Sequence, residues 1–465
     1  MSFFDDIGGY GRAPALVPED GQPIAYAALA EQADALGAVF QERGLAFLLA
    51  RNCPESVVGY LGCLRSRTPV VLVAAGLHRD LLASLLQTYA PRHVWLPRER
   101  ADEITGGREV FALSGYVMLA TDAPSIEVHP DLAVLVTTSG TTGSRKLVRQ
   151  SYANLTANAS AIAHYLQIDG RERPITSLPM NYVYGLSVIN SHLGRGASIV
   201  LTECGLMQKP FWDLIARHGV TSLAGVPYTY EILRRLNFRS MDLPSLRVLT
   251  QAGGKLSAPL VEEFARVAQK KGIRFYVMYG AAEATARMSY LPPERAVEKP
   301  SSIGIPIPGG EFWIEDDAGK VVEGTGIVGE LVFRGPNVAL GYATRREDLA
   351  LGDEWRGVLR TGDMAQRDED GFFHVVGRRS RFIKIFGNRV NLQELEHLIQ
   401  AEGIECACTG EDDQLRIYVV DAAHRERVTA FVEERTGLHR SAYRVSVVAQ
   451  LPRNEAGKIA YAALA

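Results

Sequence analysis

Between residues 25 and 45, the run AYAALAEQADALGAVFQERG places small and apolar residues at helical spacing and ends at Gly44, which predicts an amphipathic helix with a glycine stop. A short, wholly apolar run, AFLLA, follows and reads as a buried strand. The stretch GYLGCLRS returns to helical spacing, and PVVLVAAG is again strand-like. This alternation continues to VLVTTSG and predicts an α/β layered architecture with much parallel sheet. From about residue 300 the pattern changes. SSIGIPIPGGEFWIEDDAGKVVEGTGIVGELVFRGPNVALGYA is rich in Gly, Pro and β-formers with turn signals every few residues, and predicts a compact β-unit. After GFFHVVGRR, NLQELEHLIQAEG predicts an amphipathic helix, DQLRIYVVDAA a strand and RERVTAFVEERTG a second helix. The basic run Gly377-Arg-Arg-Ser-Arg381 divides the chain into a core, residues 1–376, and a small α+β cap, residues 377–465. No internal repeat or low-complexity tract interrupts it.

Composition narrows the function classes. The 465 residues include 50 Lys plus Arg against 53 Asp plus Glu, a formal charge of −3. That balance gives no support for nucleic-acid binding through a broadly basic surface. The start, MSFFDDIGGYGRAP, has neither a basic segment nor an apolar run, so no signal peptide is expected. No stretch has the apolar length of a membrane span, and cytoplasm is the default expectation. The five cysteines are scattered and odd in number, which argues against a disulfide framework. Cys406 and Cys408 alternate on an extended segment, so both thiols point to one face. With no second Cys/His pair nearby, they read as core residues rather than zinc ligands.

The most informative local pattern is Val134-Leu-Val-Thr-Thr-Ser-Gly-Thr-Thr-Gly-Ser-Arg-Lys146. An apolar strand runs into a loop of Gly and hydroxyl residues closed by a lysine. Such a loop offers backbone N–H groups and hydroxyls to polyphosphate oxygens, and the lysine adds a mobile positive charge. It is not the P-loop of kinases and GTPases, because no GKS or GKT follows a glycine at the required spacing.

TTSGTTGSRK resembles the phosphate loop of the adenylate-forming superfamily, which includes acyl-CoA synthetases, adenylation domains of peptide synthetases and luciferase. Four further stretches match in order: Tyr279-Gly-Ala-Ala-Glu283; Thr361-Gly-Asp363; Gly377-Arg378 with Ile383-Lys384 and Gly387-Asn-Arg-Val390; and Pro452-Arg-Asn-Glu-Ala-Gly-Lys458. The resemblance spans essentially the whole chain. It implies an N-terminal part of two α/β layered sheets plus a small β-unit, followed by a mobile cap.

The activity implied is ATP-dependent activation of a carboxylic acid as acyl-AMP, with release of pyrophosphate and transfer to a thiol. Thr138, Ser139, Gly140, Thr141, Thr142, Gly143 and Lys146 would grip the β- and γ-phosphates. Glu283, with Thr138, would hold Mg²⁺, a hard cation that prefers oxygen ligands. Tyr279 would stack on adenine beside the thin wall of Gly253 and Gly254. Asp363 would accept hydrogen bonds from the ribose hydroxyls, with Arg378 near ribose and phosphates. Lys458 would stabilise the charge that builds as the carboxylate meets the α-phosphate. The acceptor would be CoA or a carrier-protein phosphopantetheine, and Phe386–Glu396 resembles both groups of enzymes.

Three positions depart from the family pattern. Ala282 stands where a hydrogen-bonding threonine is usual before the metal-binding glutamate. Ser380 stands at the cap hinge, where Asp or Lys is usual, and Arg145 replaces a common proline. The cluster Arg378, Arg379, Arg381, Lys384 and Arg389 reads equally as a steering patch for a phosphorylated thiol donor or as a solvated surface run.

The acyl pocket implied is built from residues 180–186, 224–227 and 251–254, with Tyr182, Val183, Gly225, Gly280 and Ala281 facing the acid. Tyr182 is either a gate or a core tyrosine. Amino-acid-activating relatives carry Asp where this chain has Val183, and no acidic residue lies between Ile175 and Thr202. A buried ammonium without a carboxylate partner is costly, so an aryl, alkyl or hydroxy acid is expected. Two alternatives stay open: an amino-acid-activating carrier-protein loader, and a nucleotide-binding regulator that has lost catalysis.

Overall fold

The computed structural model describes residues 2–137, 146–385, 388–411, 414–436, 439–453 and 459–464. The chain divides into two compact units: Met1–Phe312 with Phe333–Leu359, and Trp313–Val332 with Arg360–Ala465.

The first unit is built on two large sheets. A nine-stranded sheet runs in the order Ile305–Pro306, Ser289–Leu291, Arg274–Tyr279, Val248–Gln251, Ser222–Gly225, Pro174–Ile175, Ile199–Leu201, Pro14–Pro18, Ile24–Ala25. Its six central strands are parallel, and antiparallel strands close both edges. An eight-stranded sheet runs Gly341–Ala343, Leu147–Ser151, Leu132–Thr137, Val70–Ala74, Ala46–Ala50, His93–Pro97, Tyr116–Ala120, Arg108–Leu113. The apolar runs at 46–50, 70–74 and 132–137 are its parallel centre. They are buried almost throughout, which is why they read as continuous rather than alternating.

The helix expected over 25–45 spans Tyr26–Gly37. Its apolar face packs on the helix Pro54–Arg65, where a Cβ on Gly37 would come within 3.2 Å of Gly62 O. The apolar periodicity continues past Gly37, but Phe40 turns away to meet His93 edge-on at 4.9 Å between ring centroids. Tertiary packing overrides helical propensity there.

In the second unit, most of the β-rich stretch forms a four-stranded sheet of Glu311–Glu315, Gly329–Arg334, Val358–Arg367 and Phe373–Arg378. The two ends of that stretch serve instead as edge strands of the large sheets. From residue 383 onward there is a separate core. The helices Leu392–Ala401 and His424–Thr436 accompany a three-stranded sheet of Cys406–Glu411, Gln414–Val419 and Tyr443–Val447. Cys406 and Cys408 both point into this core. Among the described residues, no helix is long and apolar enough to cross a membrane.

Candidate active site

Three adjacent parallel strands of the nine-stranded sheet carry most of the predicted acyl and adenine residues. Gly225, Gln251 and Val277 stand in register on these strands, so the loops after them leave side by side. Ligand crevices form beyond the carboxyl ends of such strands. Gly225 ends one strand, Gly253 and Gly254 follow the second, and Tyr279, Gly280 and Ala281 end and follow the third.

The turn at Gly253 and Gly254 is held from within, because Gln251 Nε2 donates to Gly254 O at 2.8 Å. Gly253 adopts φ +81°, and a Cβ there would lie 2.4 Å from Tyr182 Oη. The structure therefore brings Tyr182 directly against the predicted thin wall. Tyr182 and Val183 start the helix Val183–Leu193. Tyr182 is half-buried, and burial raises the pKa of its hydroxyl.

The Tyr279–Arg287 segment is short of conformational freedom. A Cβ on Gly280 would fall 1.8 Å from Ala286 O, so the chain doubles back at van der Waals distance. Thr285 and Ala286 have φ of 53° and 109°, a costly region for residues with a Cβ. The surroundings fix this geometry. Asn337 Nδ2 donates to Ala284 O at 2.7 Å and Arg287 O at 2.8 Å, and Thr285 Oγ1 donates to Asn337 O at 2.8 Å. Gln150 Nε2 donates to Ala282 O at 2.9 Å, and Ala339 N to Glu283 O at 2.9 Å. Ala282 itself is buried in the core.

Within this frame, Glu283 Oε1 accepts a 2.8 Å hydrogen bond from Tyr342 Oη. Lys146 Nζ lies 3.5 Å from the centroid of the same Tyr342 ring, a cation–π contact. One tyrosine thus joins the predicted metal carboxylate to the lysine that closes the phosphate loop. Tyr342 is on the edge strand Gly341–Ala343, opposite Val148. Nothing in a three-residue strand marks it in the sequence.

Thr138, Ser139, Gly140, Thr141, Thr142 and Gly143 lie outside the described residues, as do Arg145 and Lys458. The residues flanking the loop are described. Thr137 pairs antiparallel with Leu147, so the loop joins two hairpin strands, and the following helix Tyr152–Tyr165 starts only after the second.

In the second unit, Asp363 is buried and its Oδ1 lies 2.6 Å from Arg378 Nε. Arg378 also donates to Thr361 O at 3.2 Å and keeps over half of its side chain exposed. Ser380 lies in the turn Arg379–Arg381, and its side chain is outside the described residues, as are those of Lys384 and Arg389.

The three members of the expected basic cluster whose side chains are described, Arg378, Arg379 and Arg381, are engaged in ion pairs. Arg379 Nη1 bonds Glu330 at 2.6 Å, and Arg381 Nη2 bonds Glu396 at 2.5 Å. Arg381 is mostly buried, with its guanidinium 3.9 Å from the Tyr461 ring centroid. Tyr461 Oη donates to Glu396 Oε2 at 2.9 Å. This knot ties the residue after the hinge position to the segment just beyond Lys458, and sequence reasoning did not find it.

Among the described residues, no group of three or more His, Cys, Asp or Glu could hold a metal ion by itself. A single carboxylate with one oxygen engaged by Tyr342 suits instead a Mg²⁺ shared with phosphate oxygens, since Mg²⁺ is usually held by one or two carboxylates plus substrate phosphates.

Residues 3–343 match the family described as AMP-binding enzyme. A 2-succinylbenzoate–CoA ligase of Bacillus velezensis is 30% identical over 428 residues, 89% of this chain and 86% of that protein. An oxalate–CoA ligase of Arabidopsis thaliana is 28% identical over 443 residues, 88% and 85% of the two chains. The solved O-succinylbenzoate coenzyme A synthetase from Bacillus subtilis, in complex with ATP and a magnesium ion, superposes with a TM-score of 0.75 at 26% identity, covering 98% of both chains.

Proposed function

The chain belongs to the AMP-binding enzyme family, and on that premise we propose that it activates a carboxylic acid lacking an α-amine and passes the acyl group to the thiol of CoA. It is an AMP-forming ligase of the acyl-CoA synthetase kind, using ATP and Mg²⁺. A carboxylate oxygen attacks the α-phosphorus, forming the acyl–O–P bond as the bond to pyrophosphate breaks. The thiolate sulfur then attacks the acyl carbonyl carbon, and AMP leaves.

Each residue carries a distinct part of this work. Lys146 offsets the charge of the departing phosphates, and the hydroxyls of Thr138, Ser139, Thr141 and Thr142, with the backbone N–H groups at Gly140 and Gly143, donate hydrogen bonds to their oxygens. Glu283 and Thr138 would hold Mg²⁺, which supplies charge neutralisation at the phosphate oxygens. Tyr342 fixes the Glu283 carboxylate with a charge-assisted hydrogen bond. Tyr279 offers an aromatic face to adenine, and Gly253 and Gly254 leave room beside it. Asp363, held by Arg378, accepts from the ribose hydroxyls. Lys458, on the cap 377–465, stabilises the charge that accumulates at the α-phosphate. The cap is mobile in this scheme, with Ser380 at its hinge.

Val183, Gly225, Gly280 and Ala281 would face the acid beside Tyr182. The absence of any acidic residue between Ile175 and Thr202 supports a substrate without an ammonium group.

The observation that carries this reading is the Glu283–Tyr342–Lys146 arrangement at the mouth of the phosphate loop. Incubating the enzyme with ATP, Mg²⁺, hydroxylamine and a panel of acids tests it. Acid-dependent pyrophosphate release is expected with at least one class of non-amino acid. Folded protein that binds ATP and releases none would refute it.

A further inference from the structure

Arg287 ends the strained turn that begins after Glu283, and its side chain runs inward. The residue is 3% exposed. Its guanidinium lies 4.3 Å from the centroid of the Tyr184 ring, and Nη2 donates to Ser187 Oγ at 3.2 Å. Nη1 donates to the preceding carbonyl, Ala286 O, at 3.2 Å, and the guanidinium also interacts with the Tyr165 hydroxyl. Nε has no hydrogen-bond partner among the described residues, and no carboxylate there pairs with this arginine. A buried cation left so is costly, and natural proteins pair such groups or place them where a ligand will.

Arg287, Tyr184 and Ser187 line a cavity of about 20 Å³ between the helix Val183–Leu193 and the nine-stranded sheet, room for one or two water-sized groups. The same helix begins at Tyr182 and Val183, the residues expected to face the acid. The other titratable groups on the cavity wall are already satisfied. Glu172 accepts from Thr221 Oγ1 at 2.5 Å and lies 3.9 Å from Arg247. His192 Nδ1 is 2.8 Å from Val188 O, and burial lowers its pKa to about 4, so the ring is neutral. Among the described residues, Arg287 is therefore the one cation on this cavity's wall, and Glu172, held by Thr221, its one carboxylate.

We infer that Arg287, with the Ser187 hydroxyl, receives a second carboxylate at the distal end of the acid, so that the substrate class is dicarboxylic. The inference rests on the ligase reading above and specifies its acid. A carboxylate presents two oxygens to the unpaired Nε–H and the adjacent Nη2–H, the geometry in which guanidinium recognition is strongest. A monocarboxylic acid of the same shape would leave the arginine buried and unpaired.

The test compares matched acids on the full-length chain: succinate, glutarate and phthalate against their monomethyl esters and against butanoate, pentanoate and benzoate. The readout is kcat/KM for pyrophosphate release. The best diacid is expected to exceed its monomethyl ester by about 10- to 100-fold, the worth of a hydrogen-bonded charge pair. Arg287→Gln should collapse that ratio to within about threefold, chiefly through KM, while Arg287→Lys retains part of it. A wild-type enzyme that uses monocarboxylates as well as the matching diacids overturns the inference and leaves the ligase reading standing. Equal losses for both acid classes in a folded Arg287→Gln variant overturn it as well. No release with any acid overturns the ligase reading and this inference with it.

Discussion

Tyr342 Oη donates to Glu283 Oε1 at 2.8 Å while its ring carries Lys146 Nζ 3.5 Å from the centroid. The hydroxyl and the ring of one residue thus hold the two opposite charges to which the proposed reaction gives the metal and the phosphates. Tyr342→Phe keeps the ring and removes only the hydroxyl. It should lower kcat/KM by roughly tenfold, the worth of a hydrogen bond to a charged group, and raise the Mg²⁺ concentration needed for half-maximal rate. Glu283→Gln should cost more than Tyr342→Phe. Titrating Mg²⁺ against pyrophosphate release reads both, and an unchanged Mg²⁺ dependence in Tyr342→Phe would detach the tyrosine from the metal site.

Gly253 and Tyr182 make a prediction about shape. A methyl group at Gly253 would press on Tyr182 Oη at 2.4 Å and force φ +81° on alanine. Gly253→Ala should therefore weaken binding of acid and nucleotide by about 1–3 kcal/mol. Removing the hydroxyl relieves the clash but not the strain. Gly253→Ala with Tyr182→Phe should recover part of the loss, and a double-mutant cycle on KM measures it. Additive losses would mean that the two residues do not share a wall.

The Arg381–Glu396–Tyr461 knot makes a prediction about the cap. Glu396→Ala leaves Arg381 buried without its carboxylate, a change worth about 3–5 kcal/mol. Tyr461→Phe loses only one hydrogen bond, roughly 1 kcal/mol. Both should loosen residues 459–464 in hydrogen exchange and lower the adenylation rate more than ATP affinity. Unchanged exchange protection there in Glu396→Ala would show that the knot does not anchor the segment.

His192 predicts a pH effect on stability. Burial lowers its pKa from 6.5 to about 4, so between those values the unfolded chain binds a proton that the folded chain does not. Stability rises with pH wherever the unfolded state binds more protons. This contribution is therefore complete above pH 6.5 and is lost as pH falls toward 4, on the order of 3 kcal/mol at 1.36 kcal/mol per unit. Denaturant midpoints from pH 7 to 4 should fall less steeply in His192→Asn than in the wild type. Parallel slopes would contradict it.

The site motifs offered by the sequence are contiguous ones; of these, Tyr279–Glu283 and Thr361–Asp363 are described, while most of the phosphate loop and the terminal lysine motif lie outside the described residues. Apolar runs such as Ala46–Ala50 and Val70–Ala74 declared themselves because parallel central strands are buried on both faces. The strand Leu147–Ser151 did not, because Arg149 and Gln150 sit in its middle. Both are buried, and long-range partners satisfy them: Arg149 bonds Tyr342 O at 3.0 Å and Glu354 Oε2 at 2.5 Å, and Gln150 bonds Ala282 O at 2.9 Å. Tyr342, Asn337 and Arg287 escaped for the same reason. Their roles arise from pairings tens to hundreds of residues apart, and no local periodicity records such pairings.

The most direct test of the central claim is a stoichiometry. Enzyme, ATP, Mg²⁺, CoA and the preferred acid are incubated together, and AMP, pyrophosphate and acyl-CoA are counted by mass spectrometry in wild type and Lys458→Ala. One AMP and one pyrophosphate per acyl-CoA, all dependent on the acid and all strongly reduced in Lys458→Ala, is the predicted result. Tight ATP binding with no acid-dependent AMP, or turnover indifferent to Lys458, would contradict it.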